Sequence, residues 1–308
     1  MRVVIIGGSG FIGQALTRSL AGDGHEVVIV SRGQPRPAGG GITYAPFDGR
    51  TGAGWSQHLD GATALVNLAG ENIASGAWTK ARKQRILDSR VDAGRAVMEA
   101  LGRVAVKPAV LIQGSAIGFY GDRGEAPTTE EAPAGSGFLA EVAAKWEAST
   151  AAATAHGLRR VVVRTAVVLD GKGGALPRML APFRLFAGGP LGSGRQWFPW
   201  IHLADEVGAI RFLMDNSQAQ GPYNLAAPEA VTQDGLARAI GKALSRPALL
   251  RVPETVLRLL LGEMAQELFL NGVRAVPERL TRHGFAFRFP TLAAALADIL
   301  GARKHAYA

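Results

Sequence analysis

Three glycines at three-residue spacing, Gly7, Gly10 and Gly13, follow four β-branched residues in a row, Val3, Val4, Ile5 and Ile6. Such a run reads as a strand buried on both faces. Beyond the glycines, Ile12, Leu16 and Leu20 recur at helical spacing and mark the apolar face of a helix. A strand, a glycine turn and a helix N-terminus are the parts of a diphosphate site. Gly7 can take backbone angles closed to other residues, Gly10 lets the main chain approach phosphates, and Gly13 lets the helix lie close to the strand. An ordinary tight turn uses glycines too, but the strand before them and the helix after them favour the anion site. The second strand, 26–30, runs into Ser31 and Arg32 with no acid. An acid at this place holds the ribose 2′-hydroxyl of NAD. A hydroxyl and a guanidinium suit a 2′-phosphate instead, which points to NADP. The alternative for Arg32 is a plain surface side chain.

More polar groups fall at the ends of later strands. Asp48, just past a third strand at 42–47, can accept a hydrogen bond from an adenine amino group or cap the next turn. Leu68, Ala69 and Gly70 leave a fourth strand, and small residues at a strand's carboxyl end make room for a ligand. Glu71 comes next, able to move a proton or to cap a turn. Arg90, inside a helical pattern over 79–101, can reach a phosphate or an acid, or stay solvated. A fifth strand, 109–115, ends in Gly114 and Ser115. The Ser115 hydroxyl can polarise a substrate carbonyl or alcohol, or serve a turn. Tyr120 can be an acid or a packing aromatic, since an unperturbed phenol titrates only near about pH 10.

The elements that must hold these groups alternate. Strand and helix succeed one another up to a helix over 138–156 and a sixth strand over 160–169, which predicts an α/β fold with a doubly wound parallel sheet. Past Asp170 the texture changes to glycine loops at 171–174 and 188–194, a short helix at 176–187 and a strand at 196–202. A helix opening at Asp205 and a last strand at 223–226 follow, and the chain is mostly helical from 232 onward. The expected division is a cofactor-binding domain over 1–168, to which 200–228 returns, and a smaller substrate lobe from 169–199 and 229–308.

Composition narrows the function. The 308 residues are 47% hydrophobic and 19% charged, which suits a globular chain rather than a disordered one. With no cysteine, disulfides, thiolate metal sites and cysteine nucleophiles are excluded. The net charge of +9 is scattered, mostly as arginine, so no nucleic-acid partner is expected. The densest cluster, 80–85, reads as the solvated face of a helix. The chain opens on a strand rather than a basic, apolar leader, and no apolar run reaches membrane length. The expectation is a cytoplasmic protein with no membrane partner.

With these residues in view, the chain resembles the atypical extended short-chain dehydrogenases, an epimerase-like family with a small C-terminal domain of unknown function. The residues that carry the resemblance are Gly7-Gly8-Ser9-Gly10-Phe11-Ile12-Gly13, 66–73, 115–121, 188–194 with 200–202, 221–225, and 277–280 with 284–287. The resemblance implies a Rossmann domain with bound NADP and a substrate-covering lobe. It implies pyrophosphate contacts from Gly7, Gly10, Phe11, Ile12 and Gly13, and 2′-phosphate contacts from Ser31 and Arg32. Leu68, Ala69 and Gly70 would line the nicotinamide half, Asp48, Arg90 and Gly114 join the cofactor set, and Ser115 matches the catalytic serine. A homodimer through helices on the sheet's flank is a further implication. One departure stands out. The wider superfamily uses Tyr-x-x-x-Lys, in which lysine lowers the tyrosine's pKa. The corresponding helix here carries no tyrosine and has Glu141 four residues before Lys145. Tyr120 and Glu71 are the candidates to replace that pair. The reading is an NADP-dependent oxidoreductase or epimerase acting on a small polar substrate, nucleotide-linked ones included. The alternative is a non-catalytic NADP-binding sensor.

Overall fold

The computed structural model describes residues 1–33 and 39–304; of the loop expected at 34–41, residues 34–38 lie outside it. The elements that matter for the site are β1 (Arg2–Ile6), α1 (Phe11–Gly22), β2 (Glu26–Ser31), β3 (Ile42–Pro46), β4 (Ala64–Asn67), α2 (Lys80–Arg103), β5 (Val110–Ala116) and α3 (Phe138–Ala148). Seven strands form one sheet in the order Gly221–Leu225, Arg159–Thr165, β5, β4, β1, β2, β3. The pairings β3–β2, β2–β1, β1–β4 and β4–β5 are all parallel. Val3, Val4, Ile5 and Ile6 are fully buried, as a central strand covered on both faces requires. The small side chains Ala93, Ala96 and Ala100 bring α2 down onto Leu65 and Leu111 of the sheet. The doubly wound α/β architecture is the one expected.

Two expected elements end early. The sixth strand does not run to residue 169. It stops at Thr165, and Val167–Leu169 pairs with Trp200–His202 in a separate two-stranded sheet. The cause is a change of partner: Ala166 N donates to Leu225 O, and Val167 N donates to Pro199 O. The helix from Phe138 ends at Ala148, and a 3₁₀ turn covers Ala151–His156. Ser149 Oγ donates to Trp146 O at 2.6 Å, the side chain-to-backbone bond that competes with continued α-helix.

The chain divides into two compact units. The first is residues 1–116, 142–164 and 207–223; the second is 117–141, 165–206 and 224–308. The expected first domain ran unbroken to 168, whereas 117–141 falls in the second unit. There, helix Leu292–Lys304 packs on helix Gln233–Leu244 through Leu236, Ile240, Leu292 and Leu296, with Trp200 in the same core. Among the described residues, no helix is long and apolar enough to cross a membrane.

Candidate functional site

The first glycine turn is shaped by close approach. Gly7 has φ +81°, a left-handed conformation, and its N–H donates to Val30 O at 3.0 Å. A Cβ on Gly13 would sit 2.4 Å from Gly7 O and 2.7 Å from Gly8 Cα, so only glycine lets α1 start against the loop. No side chain caps α1 at Gly10, and no acid occupies its first turn. The N–H groups of Phe11, Ile12 and Gly13, which have no intrahelical acceptor, are thus left for an anion.

Sheet register brings the other predicted residues to the same edge. Ile6 lies opposite Val30 on one side and Asn67 on the other. Ser31 and Arg32 therefore emerge beside Gly7, as do Leu68, Ala69 and Gly70. The chain reverses its direction of winding between β1 and β4, the switch point at which open α/β sheets bind ligands. A Cβ on Gly7 would fall 2.9 Å from both Leu68 C and Ala69 N, so these two loops touch. Arg32 is exposed and has no acidic partner among the described residues. Asp48 does cap a turn. Its Oδ1 accepts from Arg50 N and Thr51 N, both at 2.8 Å, and Oδ2 accepts from Thr51 Oγ1 at 2.6 Å. Those bonds, Thr51's hydroxyl foremost, hold its carboxyl below the usual range.

Arg90 is not solvated. A Cβ on Gly70 would come within 2.9 Å of its Cζ. Arg90 Nη1 donates to Glu71 O at 3.1 Å and Ile86 O at 2.9 Å, and the guanidinium lies 5.1 Å from the Trp146 ring centroid. Burial pulls its pKa down to about 10, which leaves it charged at neutral pH. Arg90 thus supports the Leu68–Ala69–Gly70 loop from below. Gly114 is pressed on the same indole: a Cβ there would lie 2.8 Å from Trp146 and from Asn67 O.

Ser115 has a partner that sequence reasoning missed. Its Oγ donates to Glu147 Oε1 at 2.6 Å, and Arg164 grips the same carboxylate through Nε at 2.8 Å and Nη2 at 3.0 Å. A signal existed. Arg164 directly follows three valines, and a cation at the end of such a buried run needs a buried acid. With its one proton committed to Glu147, Ser115 faces a ligand with lone pairs only, as an acceptor.

The two proposed replacements for the tyrosine–lysine pair are otherwise engaged. Tyr120 is 0% exposed, and its hydroxyl donates to Asn224 Oδ1 at 2.6 Å. Asn224 in turn donates through Nδ2 to Thr128 O and Val276 O, which makes Tyr120 part of a buried polar network of the second unit. Glu71 forms an ion pair with Arg82. The same pair corrects the reading of 80–85 as a solvated face at one position: Arg82 is turned inward and buried, while Lys80, Gln84 and Arg85 are exposed.

A glycine-lined turn, an uncapped helix start and a winding switch define a dinucleotide-binding Rossmann domain. The chain belongs to the NAD dependent epimerase/dehydratase family, which residues 3–226 match, and residues 252–299 match a domain of unknown function, DUF1731. It is 40% identical to the mouse epimerase family protein SDR39U1 over 304 residues, 97% of this chain and 100% of the mouse protein. The crystal structure of human SDR39U1 (isoform 2) with NADPH matches with a TM-score of 0.86 and 34% identity, covering 98% of this chain and 99% of that one. A nucleoside-diphosphate sugar epimerase from Corynebacterium glutamicum matches with a TM-score of 0.79 and 33% identity, over 98% of this chain and 58% of that one. The epimerase-like resemblance with its C-terminal domain is thereby borne out.

Proposed function

We propose that the chain binds NADP(H) and acts as an oxidoreductase or epimerase on a small polar substrate of the nucleotide-linked kind, in the cytoplasm. The observation that carries the reading is the cradle of residues 7–13, which a Cβ on Gly13 would fill, with an Arg32 that has no acidic partner among the described residues where an acid would select NAD. The NADPH in the human relative supports the cofactor, and the name of the Corynebacterium relative supports the substrate class. In this reading the N–H groups that open α1 hold the diphosphate, Ser31 and Arg32 hold the 2′-phosphate, and Leu68, Ala69 and Gly70 border the nicotinamide. When bound, the nicotinamide supplies hydride exchange. Ser115, fixed by Glu147, accepts a hydrogen bond from a substrate hydroxyl and orients the reacting carbon.

Arg32→Ala separates the cofactor assignment from general binding. Loss of charge-assisted bonds to a phosphate should weaken NADPH about 30-fold, while NADH changes less than about threefold. Titration calorimetry with both coenzymes reads this directly, and equal losses for the two defeat the role of Arg32.

The occupied side chains of Tyr120 and Glu71 favour a second reading, a cofactor-binding sensor without turnover. A metabolite panel distinguishes the two. Under the enzyme reading some substrate drives NADPH turnover, and Ser115→Ala lowers kcat about 100-fold with the NADPH affinity unchanged. Tight NADPH binding with no turnover on any substrate supports the sensor.

A further inference from the structure

Single exposed leucines are common on folded chains, but the second unit of this one displays several. Leu249 is 83% exposed and Leu259 is 87% exposed, and Leu185, Phe186, Leu250 and Leu260 are open as well. The stretches that carry Phe186 and Leu250 run side by side. Leu250 N donates to Gly188 O, Val252 N to Pro190 O, and Gly192 N to Val252 O. This pairing ties the stretch after Phe186 to the stretch that leads into helix Glu254–Leu261. That helix turns Leu257 inward and leaves Leu259 and Leu260 outside. Phe186 holds φ at +59°, a costly conformation for a bulky residue, and its ring is displayed rather than buried. Contiguous apolar surface of this kind marks a contact with something.

The charges say what. Arg246 Cζ stands 4.4 Å from the Phe186 ring centroid. Arg246, Arg184 and Lys242 are exposed and have no acidic partner among the described residues. Two acids nearby are paired, Asp234 with Arg251 and Glu254 with Arg258. The result is an apolar surface with a cationic rim, on a chain of net charge +9. A second copy of the chain would bring two sets of these cations into one interface. An anionic lipid surface matches both features, because leucine and phenylalanine enter the acyl boundary while arginine and lysine meet headgroup phosphates.

We propose that the surface formed by Leu185, Phe186, Leu249, Leu250, Leu259 and Leu260, rimmed by Arg184 and Arg246, docks the protein on an anionic phospholipid membrane. The chain lies on the membrane rather than crossing it, which departs from the sequence expectation of no membrane partner. The test is sedimentation of the purified protein with vesicles of phosphatidylglycerol and phosphatidylcholine in equal parts, beside pure phosphatidylcholine vesicles, at low and high salt. Binding should occur on the anionic vesicles and fall with salt. Leu259→Glu/Leu260→Glu and, separately, Arg184→Ala/Arg246→Ala should each weaken it by more than about tenfold. Melting temperature and NADPH affinity, unchanged in both variants, show that the fold and the cofactor site are intact. The proposal is overturned by absence of binding to anionic vesicles, or by variants that bind like the parent. It is equally overturned by a solution dimer that Leu259→Glu/Leu260→Glu converts to monomer.

Discussion

Gly13→Ala should abolish cofactor binding while the chain stays folded. In an isolated helix alanine is favoured over glycine by up to about 1 kcal/mol. Here the added methyl would stand 2.4 Å from Gly7 O, and main chain on both sides leaves it no flexible neighbour to push aside. Overpacking of this kind costs on the order of 3 kcal/mol. It outweighs the helix gain and falls on the shape of the diphosphate loop. NADPH affinity should drop by about 100-fold or more, with the melting temperature lowered by only a few degrees, read by calorimetry and circular dichroism on one sample. An affinity within about threefold of the parent would mean that the loop does not hold the diphosphate.

Glu206→Gln should stabilise the protein at alkaline pH and leave it unaffected at acid pH. Glu206 lies in the first turn of helix Leu203–Asp215 at 0% exposure. Its Oε1 accepts from Thr165 Oγ1 at 2.8 Å, and Oε2 has no partner among the described residues. Burial pushes its carboxyl up to about 8, well above the range of an unfolded chain. Below about pH 4.5 both states carry the proton. Between there and about pH 8 the folded state keeps a proton that the unfolded state has lost, so stability falls as pH rises through that window. A glutamine keeps the bond to Thr165 and never ionises. The variant should gain on the order of 4 kcal/mol over the parent at pH 8, with the gain vanishing below about pH 4. His202 works in the opposite sense, because burial lowers its pKa. The difference between variant and parent across pH, from urea titrations, therefore isolates Glu206. A pH-independent difference would remove the buried-acid account.

The parts of the site that sequence revealed are those whose reasons are local. The first turn could be read because a buried strand, a positive-φ glycine and a helix start lie within thirteen consecutive residues. Ser31 and Arg32 were legible because their position follows from where a strand ends. Arg90 was not, since what removes it from water is Trp146, on a helix far along the chain. Which of its two roles Tyr120 takes was hidden for a like reason: Asn224, 104 residues away, takes its proton. The strand break after Thr165 depends on residues 199 and 225, which no window around residue 166 contains. The missing tyrosine–lysine pair was plain in the sequence, but what stands beside Ser115 emerged only when α3 and the strand Arg159–Thr165 were folded together.

α3 does not supply its own beginning. Phe138 N and Leu139 N, its first amides, both donate to the carboxylate of Glu267 at 3.2 Å, and a Cβ on Gly137 would collide with that carboxylate. The residue lies within the stretch that matches the domain of unknown function. A nascent chain on the ribosome therefore carries an α3 whose opening turn waits for a segment not yet translated. The stretch around Glu267 is thus a late-arriving cap for the helix that presents Glu147 to Ser115.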